Sequence, residues 1–193
     1  MNSQERDAGL WTWPNLVTAI RFLLIPIFVV LAVMHHNAAA AWLLGFIGAT
    51  DWIDGQLARR LGQVSTIGKI IDPVADRILV VTAVIVTVWA GAVPLWFGAL
   101  TLGREVLISI TVVTLASLGA KRIDVLFIGK AGAMALMFAY PMFLLAYGPQ
   151  GWQHLLRDLA WLLGIAGLLL SWVALGAYVK PARLALAQGR QRT

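Results

Sequence analysis

Four aspartates lie in the segment TDWIDGQLARRLGQVSTIGKIIDPVAD, residues 50–76 of this 193-residue chain. The whole chain has only nine acidic residues, so this segment concentrates the carboxylates. Asp51 and Asp54 are three positions apart, and Asp72 and Asp76 are four apart. On a helix, both spacings place the two side chains of a pair on one face. The pattern predicts that four carboxylates converge where two neighbouring antiparallel helices meet.

Four carboxylates in one place repel each other, so cations must neutralise them. One interpretation is a set of salt bridges to the nearby basic residues Arg59, Arg60, Lys69 and Arg77. The other is a metal site, and oxygen-only ligands favour a hard cation such as Mg²⁺ or Mn²⁺. Four carboxylates can hold two such ions, an arrangement that suits phosphoryl transfer because it holds the attacking and leaving oxygens together.

Small residues accompany the aspartates at Gly55, Ala58 and Gly68. A glycine inside a helix costs about 1 kcal/mol relative to alanine, so a reason for it is expected. Small side chains beside the acids would let a ligand approach the backbone. Close packing between membrane helices is the structural alternative.

The elements that position these residues are strongly apolar, since 60% of the chain is hydrophobic. About 20 apolar helical residues cross a membrane. We therefore predict an all-α integral membrane bundle that forms a single domain over residues 1–193. It has an interfacial N-terminal segment at 1–14 and a basic tail at 179–193. The six predicted spans are roughly 15–35, 38–59, 69–91, 94–118, 126–147 and 155–178. The absence of cysteine excludes disulfides and thiolate metal sites.

The basic residues predict the orientation of the bundle. They gather in the second and fourth connectors and in the C-terminal tail, whereas the opposite face has only Arg157. Because lysine and arginine collect on the cytoplasmic side, both termini and the 50–76 region are expected there, in a multi-pass protein of the cell membrane. The net charge of +6 is explained in the same way and does not indicate nucleic-acid binding.

The aspartates and small residues form the pattern D-x-x-D-G-x-x-A-R, eight residues, G-x-x-x-D-x-x-x-D. This pattern resembles, at every fixed position, the signature of the CDP-alcohol phosphotransferase family, also called the CDP-alcohol phosphatidyltransferase family. The resemblance implies transfer of a phosphoalcohol group from a CDP-alcohol to a hydroxyl, with release of CMP. It also implies two divalent cations, Mg²⁺ or Mn²⁺, and a homodimer.

The resemblance assigns roles to individual positions. Asp51, Asp54, Asp72 and Asp76 would bind the metal ions, and Asp76 would also take the proton from the incoming hydroxyl. The first-helix segment PNLVTAIR, Pro14 to Arg21, looks like the family motif that lines the nucleotide pocket. The residues expected to contact the CDP-lipid are Asn15, Thr18, Gly55, Ala58, Arg59, Ser65 and Gly68.

Two branches of the family are similar to this chain, and they differ in the acceptor. The segments GKIIDPVADRIL and GREVLIS resemble bacterial phosphatidylglycerophosphate synthases, which implies CDP-diacylglycerol as donor and sn-glycerol 3-phosphate as the preferred acceptor. The segment at 129–148 resembles actinobacterial-type cardiolipin synthases, whose acceptor is phosphatidylglycerol. An inositol phosphate is a further alternative.

All of these acceptors carry a phosphate, for which the basic candidates are Arg104, Lys130 and Arg122. Arg104 lies within a span, where a cation is costly without a role. An internal pair with Glu105 or an aspartate is equally consistent with its position. Contact with anionic headgroups is the alternative for Arg122. From a different functional class, a cation transporter would also place acids inside a membrane.

Overall fold

The structure is a computed structural model that describes residues 13–61, 68–117, 127–147 and 153–177, with side chains at 18–50, 74–111, 113–114, 127–147 and 153–177. Over these residues it is entirely helical, with six helices and no strand, as the sequence predicts. Each helix end lies within two residues of the predicted limit. The helices are α1 Trp13–Val33, α2 Asn37–Leu61, α3 Gly68–Trp89, α4 Leu95–Ser117, α5 Phe127–Ala146 and α6 Gln153–Ala177.

Two tight turns fold the helices into hairpins. After α1, His35 has a φ of 60°, and the His36 amide donates to the Leu31 carbonyl at 2.9 Å. After α3, Gly91 has a φ of 74°, and the Ala92 amide donates to the Thr87 carbonyl at 3.0 Å. Both are Schellman motifs, in which a left-handed residue caps the last carbonyls of a helix. They reverse the chain from α1 to α2 and from α3 to α4.

The closest helix pair is α5 with α6, because small residues face each other there. A Cβ atom added to Gly132 would lie 2.9 Å from the Gly167 carbonyl oxygen. Such close approach is typical of helix pairs in membranes. The other part of the core is aromatic: the Trp161 ring of α6 lies 5.5 Å from the ring of Phe97 in α4 and 5.1 Å from that of Phe143 in α5. These edge-to-face contacts attach α4 to the α5–α6 pair.

The outer surface of the bundle is apolar. Large hydrophobic side chains are exposed on all six helices, including Leu23, Trp42, Ile85, Leu95, Phe127 and Leu162. By length and composition, two of the described helices are able to cross a membrane, Phe127–Ala146 and Gln153–Ala177. The apolar stretches Thr18–Val33 and Asn37–Thr50 are shorter.

Candidate active site

The centre of the candidate site is an ion pair between α1 and α3. The Nη1 atom of Arg21 donates a hydrogen bond to Oδ1 of Asp76 at 2.5 Å. The Arg21 side chain is 3% exposed, whereas that of Asp76 is 46% exposed. The pair is possible because α1 packs against both α2 and α3. Arg21 therefore fixes one oxygen of a carboxylate that is about half exposed.

Arg21 is the residue that the sequence interpretation missed as a partner of the aspartates. That interpretation named basic residues near the aspartates in sequence, whereas Arg21 lies 55 positions from Asp76. The sequence did contain a signal for Arg21, because placing a cation inside an apolar helix costs free energy unless the cation has a partner. Thr18, one helical turn before Arg21, is also buried, so the two residues form a polar strip on the inner face of α1.

A cavity of about 340 Å³ opens beside Asp76 and is lined by residues of α2, α3, α4 and α5. Asp76, Glu105 and Lys130 give it a charged end. Most of the remaining lining is apolar, and it includes Leu44, Leu79, Val80, Ala83, Leu136 and Met137. Thr101 and Tyr140 also line it: the Tyr140 hydroxyl donates to Thr101 Oγ1 at 2.8 Å, and Thr101 donates to the Phe97 carbonyl at 3.0 Å.

The basic residues predicted to bind the acceptor phosphate differ in their surroundings. Arg104 is buried, and its Nη1 atom donates to Glu105 Oε1. Its Nε atom is also buried and has no hydrogen-bond partner among the residues that the structure describes. The internal pair considered for Arg104 is thus present in the structure. Lys130 is exposed and lines the charged end of the cavity.

The other predicted site residues lie where the structure gives only the backbone or nothing. The helical backbone of α2 includes Asp51 and Asp54, and that of α3 includes Asp72 and Asp76. Each aspartate pair therefore has the helical spacing on which its prediction depends. Asn15, Gly55, Ala58, Arg59 and Gly68 also lie in helices, with no side-chain description. Ser65 and Arg122 lie outside the described residues, as do most of the predicted 1–14 segment and the 179–193 tail.

Among the described residues, no three metal-ligating side chains come together, but the Asp76 carboxylate has the chemistry that a hard cation prefers. Asp76 offers an accessible carboxylate next to a cavity, and carboxylate oxygen is the ligand type that Mg²⁺ and Mn²⁺ prefer. The exposed Lys130 ammonium, which lines the same cavity, is suited to anions such as phosphates. The site therefore combines a potential metal ligand with a cation that can attract phosphate.

Comparison with known proteins agrees with this chemistry. Residues 11–173 match the CDP-alcohol phosphatidyltransferase family. A putative cardiolipin synthase of Mycobacterium tuberculosis is 38% identical over 158 residues, 81% of this chain and 76% of that protein. The cardiolipin synthase (CMP-forming) of Streptomyces coelicolor is 32% identical over 179 residues, 89% and 83% of the two chains.

A second group of relatives carries another name. The CDP-diacylglycerol–glycerol-3-phosphate 3-phosphatidyltransferase of Pseudomonas fluorescens is 42% identical over 115 residues, 56% of this chain and 58% of that protein. The Escherichia coli protein of the same name is 37% identical over 135 residues, 65% and 72% of the two chains. The second group is named for phosphatidyl transfer, and the family match covers most of the chain. The chain therefore belongs to the CDP-alcohol phosphatidyltransferase family and is an enzyme of that class.

Proposed function

We propose that this phosphatidyltransferase moves a phosphatidyl group from CDP-diacylglycerol to an acceptor hydroxyl bound at the charged end of the cavity. The observation that carries the proposal is the Asp76 carboxylate, which is accessible, lies beside the cavity and is held by Arg21. Because Arg21 holds the Asp76 carboxylate in one orientation, this base can accept the proton of a bound acceptor hydroxyl without first having to rotate.

In the proposed reaction, the acceptor oxygen attacks the phosphorus that carries the diacylglycerol group. The bond from that phosphorus to the CMP oxygen breaks, and CMP leaves with the bonding electrons. Asp76 takes the proton of the acceptor hydroxyl. The Arg21 bond orients the carboxylate toward that proton throughout the step.

Enzymes of this family use divalent metal ions. We propose that Asp51, Asp54, Asp72 and Asp76 hold two of them, Mg²⁺ or Mn²⁺. Such ions neutralise pyrophosphate charge and make CMP a better leaving group. The proposal is supported by the helical spacing of both aspartate pairs and by the accessibility of Asp76.

For the donor, we propose that α1, α2 and the segment that joins α2 to α3 bind the CDP-lipid. Thr18 supports this proposal because it is buried one turn from Arg21, on the face of α1 that points to Asp76. The other residues predicted for this role are Asn15, Gly55, Ala58, Arg59, Ser65 and Gly68.

Two acceptors are consistent with the family. The sequence prediction is sn-glycerol 3-phosphate, and the relatives from Pseudomonas fluorescens and Escherichia coli support it by name. Phosphatidylglycerol is favoured by a specific observation, because the relatives named cardiolipin synthase match 81% and 89% of the chain. For either acceptor, Lys130 is the described cation best placed for its phosphate, whereas Arg104 is paired with Glu105.

We also propose that all six helices cross the cell membrane as one domain, with both termini and the Asp76 end in the cytoplasm. The exposed apolar side chains on every helix support this arrangement, since an apolar surface of that extent marks contact with lipid. Helix lengths of 20 to 25 residues fit a hydrocarbon core of about 30 Å.

A homodimer stays a prediction from the family resemblance. The cation-transporter alternative has no support from the relatives, which are named as a synthase and as a phosphatidyltransferase.

The proposal is tested by CMP release from purified protein with CDP-diacylglycerol and Mn²⁺ or Mg²⁺. Glycerol 3-phosphate, phosphatidylglycerol and inositol phosphate are supplied in parallel as acceptors. We expect release with one acceptor, and none from Asp76→Asn, which keeps CDP-lipid binding. Asp158→Asn, an exposed aspartate near the other end of the bundle, is the matched control and retains activity. Full turnover by Asp76→Asn would remove Asp76 as the base.

A further inference from the structure

We propose that Glu105 is a specificity-determining residue, whose second carboxylate oxygen accepts a hydrogen bond from a non-reacting hydroxyl of the acceptor. The preferred acceptor is then a phosphate-bearing diol, and the same molecule with a single hydroxyl is a poor substrate. This inference rests on the proposed phosphatidyl transfer at Asp76. It gives a role to a carboxylate that the proposed reaction does not use.

Glu105 lies within α4 and faces the cavity. Thr101, four positions earlier in the same helix, lines the cavity as well. Residues four positions apart share one face of a helix, so this face of α4 forms a wall of the cavity. An acidic residue within an apolar span is costly and is by default a candidate functional residue. Glu105 therefore presents a carboxylate to the molecule that fills the cavity.

Arg104 holds one oxygen of this carboxylate and leaves the other for a ligand. The Nη1 atom of Arg104 donates to Oε1 of Glu105, and Arg104 itself is buried. Among the residues that the structure describes, none donates a hydrogen bond to Oε2 of Glu105, whose side chain is 21% exposed. Because the guanidinium fixes the orientation of the carboxylate, Oε2 is a preorganised hydrogen-bond acceptor.

The chemistry of Oε2 selects a hydroxyl. An ionised carboxylate only accepts hydrogen bonds, so it attracts the O–H group of an alcohol and repels a phosphate. Lys130, which lines the same cavity, has the opposite preference. No ion pair joins Lys130 to Glu105 in the described part of the chain. The two side chains are thus available to different groups of one ligand, a hydroxyl at Glu105 and a phosphate at Lys130.

Together with Asp76, these two residues match the three polar groups of a phosphorylated diol. Asp76 of α3 takes the proton of the reacting hydroxyl, Lys130 of α5 binds the phosphate, and Glu105 of α4 binds the remaining hydroxyl. A glycerol unit that carries one phosphate has these groups on its three carbons, and both glycerol 3-phosphate and phosphatidylglycerol contain it. The cavity of about 340 Å³ has room for this unit. The role of Glu105 is therefore the same for either acceptor.

The donor also carries hydroxyls, on its ribose, but the residues predicted to bind it lie elsewhere. They belong to α1, α2 and the segment that joins α2 to α3, whereas Glu105 belongs to α4. The described lining of the cavity includes no residue of α1. Its two residues from α2, Leu44 and Gly48, are not among those predicted for the donor. Glu105 is thus assigned to the acceptor.

The test compares each acceptor with an analogue that lacks only the second hydroxyl. Glycerol 3-phosphate is paired with 3-hydroxypropyl phosphate, and phosphatidylglycerol is paired with phosphatidylpropanediol. CMP release from the full-length protein gives kcat/KM for both members of each pair. In the pair that supports turnover, we expect kcat/KM of the diol to be about 10 to 100 times higher, because the analogue leaves Oε2 without a partner.

The outcomes of this comparison separate the role of Glu105 from the proposed function. Equal kcat/KM values for diol and analogue would overturn the role of Glu105, although the phosphatidyl transfer would then still hold. No turnover with any acceptor would overturn both.

A double variant assigns the discrimination to Glu105. Arg104→Met with Glu105→Met removes the ion pair as a whole, so that no buried charge is left without a partner. In this variant we expect the kcat/KM ratio of diol to analogue to fall to within about threefold of one, because the hydrogen-bond acceptor is gone. Thr101→Val is the matched control, since it removes another polar side chain from the same face of α4. Its ratio is expected to stay at the wild-type value.

Glu105→Gln gives the same readout with the partner of Arg104 retained. Its amide oxygen can stay on Arg104, and the neutral amide forms a weaker hydrogen bond than a carboxylate, so the ratio should lie between those of wild type and the double variant. A purely structural pair would lower kcat/KM equally for diol and analogue. A wild-type ratio in both Glu105 variants would therefore overturn the proposal. So would an equal loss of discrimination in Thr101→Val, or an effect confined to the KM of CDP-diacylglycerol.

Discussion

Replacing Arg21 by methionine tests whether this arginine positions the Asp76 carboxylate. Methionine keeps an unbranched apolar stem of similar length, so the inner face of α1 stays filled, but it cannot donate the 2.5 Å hydrogen bond to Asp76. We expect the carboxylate to lose its fixed orientation. The loss appears in kcat, because the base then adopts its productive orientation in only a fraction of the bound complexes.

The size of the effect follows from the exposure of the two partners. Breaking a fully buried ion pair costs about 3–5 kcal/mol. Here Arg21 is buried, but the Asp76 side chain is 46% exposed, so water replaces part of the lost interaction. A hydrogen bond to a charged group, worth about 1.5–3 kcal/mol, is the better guide. At about 1.36 kcal/mol for each factor of ten, kcat should fall about 10- to 150-fold.

The assay is steady-state CMP release with saturating CDP-diacylglycerol and acceptor, together with thermal unfolding in the same detergent. Arg77→Met is the matched control, since Arg77 is the neighbour of Asp76 in sequence and is partly exposed. It is expected to stay within about fivefold of wild type, the range of a surface charge contact of under about 1 kcal/mol. Arg21→Lys should recover part of the lost rate. Wild-type kcat in folded Arg21→Met, or the same loss in Arg77→Met, would refute the positioning role.

Two further predictions concern the metal ions and the helix packing. Chelation by EDTA should abolish CMP release, and Mg²⁺ or Mn²⁺ should restore it; full activity in the chelated protein would contradict the two-metal proposal. Gly167→Ala should destabilise the protein by about 1–3 kcal/mol in thermal unfolding, because its Cβ would lie 2.9 Å from the Gly132 carbonyl oxygen. Gly176→Ala in the same helix meets nothing within 4 Å and should not destabilise it. Equal unfolding temperatures for these two variants would disprove the close α5–α6 contact.

Much of the fold could be predicted from the sequence because the signals are local. Apolar runs and turn residues determine where a helix begins and ends, and all six helices have limits within two residues of prediction. The spacing of Asp51 with Asp54, and of Asp72 with Asp76, is also local, since each pair lies in one helix. The family signature uses these same positions. Local patterns were therefore sufficient for the enzyme class.

The contacts between distant helices required the tertiary structure. Arg21 and Asp76 are 55 positions apart, and Tyr140 and Thr101 are 39 apart. Their pairing depends on how each helix is rotated about its axis and how deep it lies, which a composition pattern does not specify. For Arg104, the sequence left acceptor binding and an internal pair equally open, and side-chain packing places it on Glu105.

The sequence by itself determined an all-helical chain with four aspartates at helical spacing, because hydropathy and spacing act within one helix. Only the tertiary structure decided which cation holds Asp76 and where the apolar cavity lies. That cavity is formed by side chains of four helices, from Leu44 of α2 to Tyr140 of α5. Its existence depends on gaps left between packed surfaces. Packing of whole helices, rather than any single segment, therefore sets the size and position of this cavity.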